Sequence, residues 1–171
     1  MPTTAKERVY IFDSSVFITL NRINESAIEL PEKVWQKLDE LMATGKVISQ
    51  RYVYDEVVSG GKKPDKVSAW LAPKKDYFPK ETPAQVQYMI EVIRQFPKLI
   101  NPENEKEQAD PWLVALARDL NNTDSEKEFV LVTQESQEKT TNLPAACRQY
   151  GVEAISLKKF FSEAGISFGV S

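Results

Sequence analysis

The chain has 171 residues, 42% hydrophobic and 27% charged, which is the size and balance of one soluble globular domain with a sizeable core. A net charge of −3 gives no global attraction to nucleic acid or anionic lipid, so any such contact has to be local. One cysteine and no histidine exclude an intrachain disulfide, thiolate metal clusters, Ser-His or Cys-His nucleophiles and the usual zinc sites, which leaves carboxylates as the chemical resource.

In chain order, Met1 to Arg8 is too short and polar for a signal peptide, and no apolar run reaches bilayer length, so a cytoplasmic protein without a membrane span is expected. Val9 to Phe12 reads as a short strand buried on both faces that delivers Asp13 at its C-terminal end. Ser14-Ser15 then opens an apolar helix expected to end near Leu20, with Asn21 to Asn24 as a turn-rich exit. Asp13 alone is equally well explained as a helix cap or as a functional acid. Pro31 starts a second helix, with Val34, Trp35, Leu38, Leu41 and Met42 at helical spacing and Gly45 as its stop. Val47 to Ser49 is a short strand, and Arg51 to Ser59 a helix ended by Gly60-Gly61. On that helix Asp55 and Glu56 lie about 100° apart, so only one of them can face the same point as Asp13.

Lys62, Lys63, Lys66, Lys74, Lys75 and Lys80 form the most basic stretch, interleaved with Trp70, Tyr77 and Phe78. Solubilising lysines beside the core residues Trp70 and Leu71 explain it better than phosphate contact does. Pro83 opens a longer helix with Val86, Met89, Ile90 and Ile93 as its packing side, ending before Pro97. Asn101 to Asp110 is an acidic surface loop whose last residue, before Pro111, is an N-cap candidate for the helix bearing Leu113, Leu116, Ala117 and Leu120. Phe129 to Thr133 is a second doubly buried strand, and it delivers Thr133 and Glu135 past its end. A short helix from Pro144, a strand over Val152 to Ile155, and a last helix capped near Gly165 complete a single domain over residues 1–171. Alternating strands and helices predict a three-layer α/β/α sandwich around a mostly parallel sheet, with Asp13, Glu135, Asp110 and one acid of the 51–59 helix able to meet above one sheet edge.

Four segments resemble the PIN-domain nucleases, whose best-known small members are the VapC toxins of toxin–antitoxin pairs. Tyr10 to Ile18 is similar to the opening strand, acid and helix; Glu56-Val-Val-Ser-Gly60 to the second acidic motif; Ala109 to Ala117 to the acid opening an alanine-rich helix; and Leu131 to Glu135 to the strand ending in threonine and then an acid. The order and intervals match over almost the whole chain. Ser15 stands where many members have asparagine, and Glu135 where aspartate is more usual. The longer Lys62 to Pro102 segment points to a PIN-like branch other than the minimal toxins. The resemblance selects Glu56 over Asp55.

It implies hydrolysis of RNA phosphodiesters with Mg²⁺ or Mn²⁺. Clustered carboxylates about 4 Å apart repel by roughly 4 kcal/mol per pair at an effective dielectric near 20 and so need protons or a cation, and hard oxygens select those ions. Asp13 and Asp110 are then the principal metal ligands, Glu56 a ligand or acceptor for metal-bound water, and Glu135 an outer or second-metal ligand. Ser15 and Thr133 would orient them, and Arg51, Lys62 and Lys63 are candidate RNA contacts. An antitoxin and a homodimer are the partners the resemblance implies. A haloacid-dehalogenase-type phosphotransferase needs an acid where Ser15 stands. A catalytically silent PIN-like interaction module is the alternative that keeps the same fold.

Overall fold

A computed structural model of the protein describes residues 5–25, 30–59, 65–104 and 108–167. Four strands, β1 (Glu7–Phe12), β2 (Val47–Ile48), β3 (Lys127–Val132) and β4 (Ala154–Ile155), form an all-parallel sheet in the order β2-β1-β3-β4. The six-residue pairing of β1 with β3, from Glu7 opposite Lys127 to Phe12 opposite Val132, is its centre. Val9 to Phe12 and Phe129 to Val132 are all buried, as expected of strands covered on both faces.

The sandwich carries eight α-helices among the described residues: α1 (Ser14–Glu25), α2 (Glu32–Ala43), α3 (Arg51–Val58), α4 (Lys66–Leu71), α5 (Pro83–Gln95), α6 (Ala109–Thr123), α7 (Leu143–Gln149) and α8 (Leu157–Ala164). Tyr10 and Phe12 point to one face of β1, where Phe160 of α8 meets both rings and Phe17 of α1 meets Phe12. β1 leads to β2 on one side of the sheet, whereas β3 leads to β4 on the other. Right-handed crossovers therefore leave on opposite faces and open a crevice at the C-terminal ends of β1 and β3.

Several boundaries differ from the sequence reading for identifiable reasons. α1 continues through Asn21 to Glu25, because Leu20 is buried and Ile23 packs on the core, and packing overrides the turn-forming asparagines. The side of α5 that carries Val86, Met89, Ile90 and Ile93 is only half-covered, and Ile90 is 37% exposed; the buried residues are Gln85 and Val92. α5 lies on α6, not on the sheet, and polar contacts hold it there: Gln85 Nε2 donates to Asp119 Oδ2 at 3.0 Å, and Arg118 pairs with Glu91. Gly165 ends α8 at φ +70°, a left-handed position where glycine carries no side-chain penalty. Gly60-Gly61, expected to stop α3, lies outside the described residues, as do residues 105–107 of the acidic loop and 168–171 of the tail. No helix among the described residues is long and apolar enough to cross a membrane.

Candidate active site

Asp13 leaves the end of β1 and is 2% exposed. Its Oδ1 accepts from the Val16 amide at 3.2 Å, so it does cap α1, and from the Ser15 hydroxyl. Its Oδ2 accepts from Thr133 Oγ1 at 2.6 Å, across from the end of β3. The two hydroxyls are in turn fixed by the chain that follows β3: Gln134 N donates to Ser15 Oγ at 3.0 Å, and Glu135 N donates to Thr133 Oγ1 at 3.1 Å. Ser15 and Thr133 thus hold the Asp13 carboxyl, and they also tie together the two strand ends that border the crevice.

The structure brings Asp13, Glu56, Asp110 and Glu135 together around one cavity of about 260 Å³, which Asn104 and Gln108 also line. Asp55 and Glu56 are both solvent-exposed on α3, but Asp55 is not among the cavity's lining residues. Glu56 reaches across to α6, and its Oε1 accepts from the Ala109 amide at 2.9 Å. The expectation that Asp110 caps α6 is therefore corrected. Gln108 holds the cap position without a side-chain cap bond, Asp110 is the second helical residue, and the orphan first amide is satisfied by a carboxylate from another helix.

Burial, and then the negative charges of Glu135, Asp13 and Glu56, hold the Asp110 carboxyl well above the usual carboxylate range. Burial likewise raises Asp13, against the pull of the donors from Ser15, Thr133 and Val16. Burial and the Asp13 charge raise Glu135, opposed by the Leu143 amide and by Lys139. Glu135 Oε2 is buried without a hydrogen-bond partner. Cys147, fully buried in α7, is pushed up by burial and by three of these acids, so it is a packed thiol and no nucleophile.

The donor set is all hard oxygen, overcharged, and includes one buried oxygen with nothing to accept. These features fit a divalent cation. Among the described residues no three acids close on one point, but Mg²⁺ characteristically keeps several waters and takes only one or two carboxylates from a protein.

Of the candidate RNA contacts, Arg51 lies away from these acids. Arg51 Nε donates to the Phe78 carbonyl at 2.9 Å, holding the 3₁₀ segment Ala72–Tyr77 and its exit, and Arg51 does not line the acidic cavity. Lys62 and Lys63 lie outside the described residues. Within the basic stretch Lys74 sits 4.6 Å from the Trp70 ring and 3.1 Å from Asp39, so that cation serves the protein's own packing. Sequence reasoning missed Gln108, whose side chain bonds both the N–H and the carbonyl of Asn101 and so clasps the loop beside the cavity. Its position just before Ala109-Asp110 was the available signal. It also missed Gln134, whose Oε1 accepts from Leu157 N and links the Asp13 network to α8.

A family model covers residues 10–168, a span that includes all four acids. The chain belongs to DUF4411, a domain of unknown function. The DUF4411 match runs from within β1 past the end of α8, so the acidic crevice and all of the sheet except the first three residues of β1 lie inside the family domain. No curated protein matches the chain.

Proposed function

We propose that this protein is a metal-dependent ribonuclease that hydrolyses phosphodiester bonds at the crevice between β1 and β3. The observation that carries the reading is the meeting of Asp13, Glu56, Asp110 and Glu135 at one cavity above the sheet edge. Asp13 and Asp110 would hold the ion, with Glu135 Oε2 as a buried oxygen that has no hydrogen-bond partner and Glu56 able to accept from a coordinated water. A bound Mg²⁺ or Mn²⁺ supplies polarisation of the phosphodiester and a water of lowered pKa. The chain's own work is to hold Asp13 in one orientation through Ser15 and Thr133, and to keep Asp110 at the mouth of α6, where the helix dipole favours its ionised form. The PIN-like motifs extend the reading to a VapC-like toxin restrained by a cognate antitoxin.

The test is cleavage of single-stranded RNA by purified protein with Mn²⁺. Activity should stop on addition of EDTA and be lost in Asp13→Asn, which still caps α1. Cleavage that survives EDTA or Asp13→Asn would remove the proposal. A second reading, a PIN-like module that binds protein without catalysis, draws on the failure of any three described acids to close on one point. It requires that Mn²⁺ leave the thermal stability unchanged.

A further inference from the structure

A second cavity, of about 600 Å³, lies at the other end of the α6–β3 unit. Lys6, just before β1, Arg118 and Asn122 of α6, Lys127 at the start of β3, and Tyr88 and Tyr150 line it. Three cations line it against one lining carboxylate, Glu128, whose charge is already taken by Arg8 at 3.1 Å; Asp124, outside the lining, stands 4.0 Å from Lys127. In a chain of net charge −3 this is a local reversal of sign.

Arg118 is the centre of the arrangement. Its guanidinium carbon lies 3.9 Å from the Tyr150 ring centroid and 4.6 Å from that of Tyr88, so the plane is pinned by two aromatic rings. A guanidinium carries five N–H donors. Among the described residues Arg118 has one charged partner, Glu91, at 2.8 Å from Nη1, and even that buried nitrogen lacks hydrogen-bond alignment. A largely buried arginine so rigidly held, with donors to spare and an open cavity beside it, is arranged for a planar or tetrahedral oxyanion.

We propose that this cavity binds a phosphate-bearing ligand of mononucleotide size, with Arg118, Lys6 and Lys127 taking the phosphate and the tyrosine side receiving the organic part. The volume suits a small organic ligand, and compact phosphate recognition needs a fork and point charges together. The phosphate can come from a free nucleotide or from the end of an oligonucleotide. The site is independent of the acidic crevice and stands whether or not that crevice cleaves RNA.

Full-length ¹⁵N-labelled protein should be titrated with adenosine monophosphate, inorganic phosphate and a 5′-phosphorylated oligoribonucleotide, following the amides of Gly151 and Asn122. Adenosine monophosphate is expected to shift both amides and to bind more tightly than inorganic phosphate. Arg118→Lys keeps the charge but loses the fork and should weaken binding about tenfold. Because Arg118 also packs between the rings, the double variant Lys6→Ala/Lys127→Ala tests the site with that packing intact and should weaken binding by a similar factor. Shifts from the oligonucleotide alone would assign its terminal phosphate as the source and keep the site. No shift with any probe, or unchanged affinity in the double-lysine variant, overturns the proposal.

Discussion

Thr133 donates its hydroxyl hydrogen to Asp13 Oδ2 at 2.6 Å, although 120 positions separate the two in the chain. The bond is buried and has a carboxylate as acceptor, so removing the donor leaves a buried charged oxygen short of a partner. Thr133→Val, close in shape, should destabilise the protein by about 1–3 kcal/mol in urea unfolding at neutral pH. It should also weaken Mn²⁺ binding, because the carboxylate loses one of the two hydroxyls that orient it. A loss below about 0.5 kcal/mol, the usual surface-substitution range, would mean that the bond contributes little.

Glu56 combines a structural bond with a candidate ligand role, and two substitutions separate them. Glu56→Gln keeps an oxygen to accept from Ala109 N and should leave apo stability within about 0.5 kcal/mol of the parent. Glu56→Ala removes the acceptor and should cost about 1 kcal/mol, the typical worth of an N-terminal cap. Both should weaken metal-dependent stabilisation. Equal apo stability of the two variants would show that the Ala109 amide finds another acceptor.

Asp110 carries the heaviest electrostatic load, from burial and three like charges. Asp110→Asn should raise the apo melting temperature by roughly 2–4 °C, the response of a domain of this size to about 1 kcal/mol, and abolish stabilisation by Mn²⁺. Asp13→Asn should likewise lose the Mn²⁺ response, and Asp55→Asn should keep it. Retention of the Mn²⁺ response in Asp13→Asn and Asp110→Asn would sink the shared metal site.

The pH dependence of the apo protein follows from the same groups. Asp13, Asp110 and Glu135 all have folded-state pKa values raised above their unfolded ones, so the folded chain holds protons more tightly. The stability they contribute is present below the unfolded carboxylate range, near about pH 4, and is lost as pH rises through the raised folded values. Denaturation in EDTA should therefore show stability falling over this range. The gain from Mn²⁺ should grow with pH, since ligation needs ionised carboxylates. A Mn²⁺ effect largest at acid pH would contradict the assignment.

An opposite trend comes from the start of the sheet. Arg8 pairs with Glu153 at 2.9 Å, Glu163 at 2.8 Å and Glu128 at 3.1 Å, and its hydrogen bond holds the Glu153 carboxyl below the usual range. A lowered folded pKa contributes stability above the unfolded value, lost as pH falls through the folded one. Arg8→Ala should cost about 1–2 kcal/mol at neutral pH, more than an isolated surface pair, and flatten the decline in stability on the acid side. Unchanged acid-side behaviour in unfolding curves would show that the cluster contributes nothing.

The parallel sandwich was legible because Val9 to Phe12 and Phe129 to Val132 are continuous apolar runs that each end in a polar residue. Two acids of the crevice were legible for the same reason: Asp13 follows β1 directly and Glu135 follows β3 after two residues, whereas Glu56 was selected over Asp55 by the resemblance. What sequence could not supply was the identity of cross-chain partners. Nothing local distinguishes Asp110 as cap from Glu56 as cap, because the deciding bond spans 53 positions. The half-covered side of α5 was unreadable for a related reason. Its apolar spacing states that a face exists, while Gln85 and Asp119 decide how the helix lies on α6. Arg51 is another case: its Nε bonds the Phe78 carbonyl, a partner 27 positions away that no local pattern names.

The central pairing of β1 with β3 joins residues 7–12 to residues 127–132, with α1 through α6 threaded between them. A sheet whose middle is its most distant contact has a high contact order, which slows folding because a long loop must close before the pairing stabilises anything. On the ribosome the consequence is temporal. Asp13, Glu56 and Asp110 are all synthesised before the strand that positions Thr133 and Glu135, so a nascent chain holds three of the four acids without the frame that gathers them. The crevice is complete only when β3 arrives, because Thr133 and Glu135 come with it.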